Sequence, residues 1–327
     1  MTAAVAKKFD SSAITPVPLS LYDQDFDAFS QALGASFQRY GFAVLSELFT
    51  APRLGFDKAF VDRTLAATKA FYALPAAVKE QYHQKGQGGQ RGYTPFGVET
   101  AKGYDHSDLK EFWHMGRDLP SGHRFADIMK PNIWPAEVAD FKPGVTGLFQ
   151  SLDHLGNNVL RAIARYLHLD TEFFADPVKD GNSILRLLHY PPVEKEGPSV
   201  RAGAHGDINV ITLLMGAEEP GLQLLDRDGT WLPITPPEGC IVVNIGDMLS
   251  RLTNHVLPST IHRVVNPDPE RARFARYSTP FFLHFAPDYV IKTLSTCISA
   301  DNPDQYPQSI TANEFLKQRL RDIGLTK

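Results

Sequence analysis

The chain of 327 residues is short of cysteine: only Cys240 and Cys297 occur. Two thiols exclude a disulfide-stapled fold and fit a reducing compartment. An excess of one charge is also missing. Lys and Arg number 33 against 37 Asp and Glu, a net charge of −4, and no basic stripe stands out. Nucleic acid and an anionic membrane are therefore not expected as partners. No apolar run approaches the roughly 18 residues of a membrane span. Met1–Lys8 lacks the long apolar region of a signal peptide, so the expected location is cytoplasmic. Internal repeats and low-complexity tracts are absent as well. What is present suits a globular protein: 43% hydrophobic and 21% charged residues, in a chain long enough to bury a full core.

The first half reads as helical. Pro16 and Pro18 keep the lead-in irregular. Phe26, Phe29, Leu33, Phe37 and Tyr40 fall on one stripe, predicting a helix ended by Gly41 and followed by a buried strand, Phe42–Leu45. A second helix is expected from Pro52 to Ala73. Residues 83–105 hold Gly86, Gly88, Gly89, Gly92, Gly97 and Gly103, with Arg91 and Tyr93 among them. Such a window predicts a long mobile loop that contacts substrate or acts as a lid. The stripe Val145, Leu148, Leu152, Leu155, Val159, Ile163 and Tyr166 predicts the longest helix.

From Ser183 the pattern changes to short strands separated by Gly/Pro turns: 183–190, 204–214, 222–225, 231–234, 240–245, 260–265 and 276–285. The fold class expected is mainly β with flanking helices, an antiparallel double sheet of jelly-roll type (a double-stranded β-helix) behind an N-terminal helical extension. The division expected is 1–180 for the extension, 181–290 for the core and 291–327 for a C-terminal helical segment. The last is opened by the capping box Thr311-x-x-Glu314 and closed by Gly324.

Chemistry concentrates in the second half. Read as one strand, Ala204–Leu214 turns His205 and Asp207 to the same face. His262 follows Asp207 by 55 residues (262 − 207), in another predicted strand. Two imidazoles and a carboxylate make the facial triad that binds Fe(II) and leaves positions for O2 and an electron-donating chelate. The same parity makes Asn209 a residue of the pocket wall. Arg276 and Ser278 also lie two apart, and a guanidinium beside a hydroxyl is a carboxylate receptor.

In this order and at these separations, His205-x-Asp207, His262 and Arg276-x-Ser278 resemble the Fe(II)/2-oxoglutarate-dependent dioxygenases, in the branch similar to isopenicillin N synthase. Tyr190-Pro191-Pro192, Gly221-Leu222-Gln223, Val243-Asn244-Ile245-Gly246-Asp247 and Ser259-x-x-His262-Arg263-Val264 resemble its barrel signatures. Tyr40-Gly41-Phe42 and Arg91-Gly92-Tyr93 resemble its extension, and the similarity covers roughly residues 15–290. Two departures stand out: Leu188 where many members have Asn, and Gly206 where many have Thr or Ser. The resemblance implies Fe(II), 2-oxoglutarate and O2, with room for ascorbate as an accessory. It implies metal ligands His205, Asp207 and His262, and an oxoacid site of Arg276, Ser278 and Tyr190. The expected activity is hydroxylation, desaturation or ring closure of a small molecule, with release of succinate and CO2, by a monomer or weak homo-oligomer. Two other readings share parts of the pattern. One is an oxidase similar to isopenicillin N synthase that uses no 2-oxoglutarate, in which Arg91 makes a further carboxylate contact. The other is a jelly-roll binding protein or sensor without catalysis. Specificity is expected from residues 83–105, with Arg91 and Tyr93, from 191–203 and from the C-terminal segment.

Overall fold

The structure, a computed structural model, describes residues 14–86, 89–98, 110–192, 201–215, 221–266 and 269–322. The expected cap at Gly324, and parts of the 83–105 and 191–203 windows, lie outside the described residues.

Helices form where the apolar stripes are. Helix α1 (Phe26–Tyr40) starts at Asp25, whose carboxylate accepts the Ala28 N–H at 2.9 Å, and ends at Gly41 with φ +67°. Helix α2 runs Lys58–Tyr72 and not from Pro52. Pro52–Leu54 is a separate 3-10 turn, Gly55 takes φ +73°, and Asp57 provides the cap by accepting the Ala59 N–H. The longest helix, α3 (Phe141–Tyr166), buries Val145, Leu148, Leu152, Leu155, Val159 and Ile163. Both α1 and α2 pack against it.

Over this layer lies an eight-stranded sheet in the order β1 (Val17–Pro18), β2 (Phe42–Ser46), β10 (Ile241–Ile245), β7 (Ile211–Met215), β12 (Arg276–Leu283), β5 (Ile184–Tyr190), β4 (Glu111–Gly116), β3 (Gly92–Thr94). A four-stranded sheet, β6 (Ala202–His205), β11 (His262–Val264), β8 (Leu222–Leu225), β9 (Trp231–Pro233), completes the jelly roll. Among the described residues, only the β1–β2 pair is parallel. Alternation sorts the side chains. Trp113, Leu185, Leu187, Leu213, Phe281 and Leu283 face the helices in the main core. The opposite face looks into the space between the sheets. One end of that space is filled by Phe42, Val44, Val242, Leu224 and Val264.

Two expectations change. Ala204–Leu214 is not one strand: β6 ends at His205, residues 206–210 cross between the sheets, and β7 begins in the opposite sheet. The 83–105 window is not one loop either, since Gly92–Thr94 pairs with His114–Phe112 as a strand of the large sheet. The capping box forms, with Glu314 N–H on Thr311 Oγ1 and Thr311 N–H on Glu314 Oε2, and opens helix Ala312–Asp322. Among the described residues, no helix is long and apolar enough to cross a membrane.

Candidate metal centre

The crossing from β6 to β7 builds the site. His205 ends β6, His262 opens β11, and the two are direct antiparallel partners, which brings their rings to 4.5 Å. Asp207 reaches them from the crossing. Its backbone is held by a short helix, α4 (Asp247–Leu252): Asp247 N–H donates to Asp207 O at 2.7 Å, and Met248 N–H to Ile208 O and Asn209 O. Gly246 lets α4 come this close, because a Cβ there would fall 2.0 Å from the Asn209 carbonyl oxygen.

The two carboxylate oxygens of Asp207 have different surroundings. Oδ2 accepts the Thr212 hydroxyl at 2.5 Å and Asn244 Nδ2 at 2.8 Å. Oδ1 lies 3.9 Å from Nε2 of His205 and 3.9 Å from Nε2 of His262. The histidines are oriented by backbone: His205 Nδ1 meets Gly203 O at 2.7 Å, and His262 Nδ1 meets Thr260 O at 3.1 Å. A carbonyl only accepts, so each Nδ1 carries the proton and each Nε2 turns its lone pair inward. The three ligand atoms lie within 4.8 Å of one another, and no fourth His, Cys, Asp or Glu joins them among the described residues.

The electrostatics favour a cation. Burial alone would raise the Asp207 carboxyl, but the two imidazoles, Asn244 and Thr212 outweigh it and keep it below the usual carboxylate range. His205 keeps 45% of its side chain open to solvent, with its ring against that of His262. Desolvation of the imidazole, with His262 beside it, pushes it down to about 4. A carboxylate and a neutral imidazole at neutral pH suit a divalent ion.

The residues expected to receive a carboxylate lie on the same inner face. Arg276 is 2% exposed and pairs across the sheet with Tyr190, its guanidinium 5.1 Å from the centre of the Tyr190 ring. Ser278 is buried two residues on, and a second buried guanidinium, Arg201, lies 5.9 Å from the same ring. Leu188, the departure noted above, packs with Phe112 and Tyr190.

Three expected substrate contacts are placed elsewhere. Asn209 does not share a strand face with His205. It is 1% exposed, and its amide donates to Ile211 O and Thr212 Oγ1, so it braces the threonine that braces Asp207. Tyr93 lies on the helix-facing side of the sheet, with its hydroxyl on Glu111, which also takes Lys79 at 2.8 Å. Arg91 is 1% exposed and donates to the carbonyls of Lys130 and Gln90. Its guanidinium fills the space beside Gly116, where a Cβ would fall 2.0 Å from Cζ. Glycine-rich composition marks a loop but not the face on which its side chains fall. Sequence reasoning assigns no role to Thr212 or Asn244. Asn244 at least stands in a motif, whereas nothing local marks Thr212.

Two imidazoles and one carboxylate in a jelly roll, near a buried arginine and serine, are the arrangement expected of a mononuclear non-haem iron oxygenase. The comparisons agree. The sequence profile of the 2OG-Fe(II) oxygenase superfamily matches residues 181–285, and that of the non-haem dioxygenase in morphine synthesis N-terminal region matches residues 14–137. The 2-oxoglutarate-Fe(II) type oxidoreductase hxnY of Emericella nidulans is 34% identical over 267 residues, covering 78% of this chain and 75% of its own. A 2OG-Fe(II) oxygenase family protein of Caulobacter crescentus is 64% identical, with TM-score 0.88 over 95% of this chain and 99% of its own. A full-length Neurospora crassa protein solved in complex with alpha-KG and thymine is 30% identical, with TM-score 0.82 over 98% of this chain and 99% of its own. The chain belongs to the 2OG-Fe(II) oxygenase superfamily. It is a non-haem Fe(II)/2-oxoglutarate-dependent dioxygenase, with O2 as its other co-substrate, and the oxidase and sensor readings are set aside.

Proposed function

We propose that His205, Asp207 and His262 bind the iron, that Arg276, Ser278 and Tyr190 hold the distal carboxylate of 2-oxoglutarate, and that the chain hydroxylates a small molecule. The observation that carries this reading is the division of labour at Asp207. One oxygen is tied down by Thr212 and Asn244, and the other is directed between two Nε2 lone pairs. That is a donor set prepared for one metal ion, with anion, softness and geometry suited to iron.

Bound iron supplies the oxidising power: O2 is reduced as 2-oxoglutarate is split to succinate and CO2, and one oxygen atom enters a C–H bond. The chain's own residues set the conditions. Gly203 and Thr260 carbonyls fix the imidazole tautomers. Arg276 and Ser278 hold one end of the oxoacid by charge-assisted hydrogen bonds. Leu188, Phe112 and Tyr190 keep water from that end. The Neurospora crassa relative, solved with thymine, supports a small-molecule substrate.

The test is anaerobic titration of the purified chain with Fe(II) and then 2-oxoglutarate, followed by succinate detection once O2 is admitted. One iron per chain and succinate formation that requires 2-oxoglutarate are expected. Succinate formation by an Asp207→Ala variant at the wild-type rate would overturn the ligand assignment.

A further inference from the structure

The last segment of the chain packs against α4, the short helix that holds Asp207. Leu294 N–H donates to Leu252 O at 2.9 Å, and Arg251 Nη2 donates to Gln308 O at 2.8 Å. The Arg251 guanidinium lies 4.3 Å from the centre of the Tyr306 ring, whose hydroxyl meets His255 Nε2 at 2.6 Å. Helix α5 (Ala312–Asp322) adds Ala312 and Phe315 to the core that holds Met248, Leu249 and Leu252. These contacts secure the body and the far end of α4. Arg319 lies four residues after Phe315, on the same side of α5, and reaches the near end. Its Nη2 lies 3.0 Å from Asp247 Oδ2, and its Nη1 lies 3.6 Å from Asp322 Oδ2 in its own helix.

Asp247 is the residue through which α4 meets the crossing. Its N–H donates to Asp207 O at 2.7 Å. Its second carboxylate oxygen, Oδ1, stands beside Gly206, where a Cβ would fall 3.5 Å from it. One residue thus touches the link between two triad members with its backbone and with its side chain. That link has little stiffness of its own. Gly206 lies between His205 and Asp207, Gly246 lies at the entry to α4, and glycine restricts the backbone least. No side chain at 206 reaches back to Asp247. The Ser259 hydroxyl, also beside Gly206, has no hydrogen-bond partner among the described residues, so it does not tie the link either.

We infer that Arg319 is a positioning residue for the metal site: by holding the Asp247 carboxylate it keeps α4 closed on the 206–210 crossing, so that Asp207 is set between His205 and His262 before an ion arrives. This rests on the proposed function, which makes Asp207 a ligand. A guanidinium suits the task. It stays charged, and its hold on Oδ2 fixes the turn of the carboxylate that leaves Oδ1 against Gly206. The pair is partly exposed, with 36% of the Arg319 side chain and 20% of the Asp247 side chain open to solvent. Its effect is therefore that of a solvent-screened ion pair, modest but directed at one ligand. The C-terminal helix thus acts on the metal from outside the jelly roll, without touching it.

The test titrates the full metal-free chain with Co(II) against a chromogenic chelator. Wild type, Arg319→Gln, Arg319→Lys, Asp247→Asn and the double variant of Arg319→Gln with Asp247→Asn are compared. Arg319→Gln is expected to weaken Co(II) binding about two- to fivefold, and Arg319→Lys to recover part of the loss. In the Asp247→Asn background Arg319→Gln should cost nothing further, because the group it acts through is gone. Unchanged affinity in Arg319→Gln, or an equal loss with and without the Asp247 carboxylate, overturns the inference. Should Asp247→Asn not fold, the lysine variant decides, and a loss as large as that of Arg319→Gln counts against the ion pair. Amide exchange over residues 206–210 and 247–248 of the metal-free protein is the second readout, and it should quicken in Arg319→Gln. It judges the clamp even if wild type takes up no Co(II), the outcome that would overturn the ligand assignment instead. A lower urea midpoint with Co(II) affinity and exchange unaltered would make Arg319 a fastening of the C-terminal helix alone.

Discussion

Thr212→Val removes one hydroxyl and keeps the branched shape of the side chain. In the wild type that hydroxyl donates to Asp207 Oδ2 at 2.5 Å and lies 3.2 Å from both polar atoms of the Asn209 amide. A hydrogen bond to a charged group contributes roughly 1.5–3 kcal/mol. Asn244 still holds Oδ2 in the variant, so the carboxylate keeps one tether and gains a rotation. Loss of such an outer contact weakens metal binding about 10- to 100-fold, which is roughly 1.4–2.7 kcal/mol and matches the value of the bond. Competition titration against a chromogenic chelator, with Fe(II) under argon and with Co(II) as a check, should show this loss. Thr212→Ser, which restores the hydroxyl, should recover most of it. Urea unfolding of the metal-free variant reports the fold separately. If metal affinity stayed within about twofold while stability fell, Thr212 would serve the core alone, and its bond to Asp207 would have no part in holding the metal.

Arg276→Gln should weaken 2-oxoglutarate roughly 10- to 150-fold, the range equivalent to one charge-assisted contact, and leave iron content unchanged. A 2-oxoglutarate titration of succinate formation measures it, and an unchanged midpoint would remove Arg276 from the oxoacid site. Asp207→Ala should lose turnover and iron retention while circular dichroism stays native; metal analysis after desalting decides. Metal-free protein should also lose stability in mild acid. His284 is buried, which pushes its imidazole down to about 4, so between about 6.5 and 4 the unfolded chain takes up a proton that the folded chain refuses. Its contribution is present above that window and lost as pH falls through it, up to roughly 3 kcal/mol. His284→Gln should flatten the acid side of the stability curve, and an unaltered slope would place the proton uptake elsewhere.

The helices are legible in the sequence because an apolar stripe of five to seven members at helical spacing fits little besides a helix. Helix α2 shows where that stops: Pro52 suggests the start, but the cap belongs to Asp57, past a glycine turn. At the site the residue types and their order point to a metal, while strand parity is the wrong reason for it. His205 and Asp207 are brought together by a crossing between two sheets and by the N–H groups of α4, neither of which a two-residue spacing encodes. Thr212 and Asn244 meet because β7 and β10 pair in one register, information that exists only once the sheet has formed. Arg91 and Tyr93 are misplaced by sequence reasoning for a related cause: their neighbours suggest a loop, whereas the strand Gly92–Thr94 directs Tyr93 towards the helices.

The order of the large sheet bears on what can be cut from this protein. In the intact chain β5 is covered by β4, and β10 by β2, and both covering strands come from before residue 181. A fragment beginning at 181 would keep the triad and Arg276 but leave two long rows of backbone N–H and C=O groups without neighbours, on strands whose side chains are mostly buried. Such strands recruit one another between molecules. The fragment should therefore aggregate instead of working as a minimal catalyst. Evolutionary exchange of the leading segment would then have to preserve β2 and β4 as edge covers, even where every residue contacting substrate is free to change.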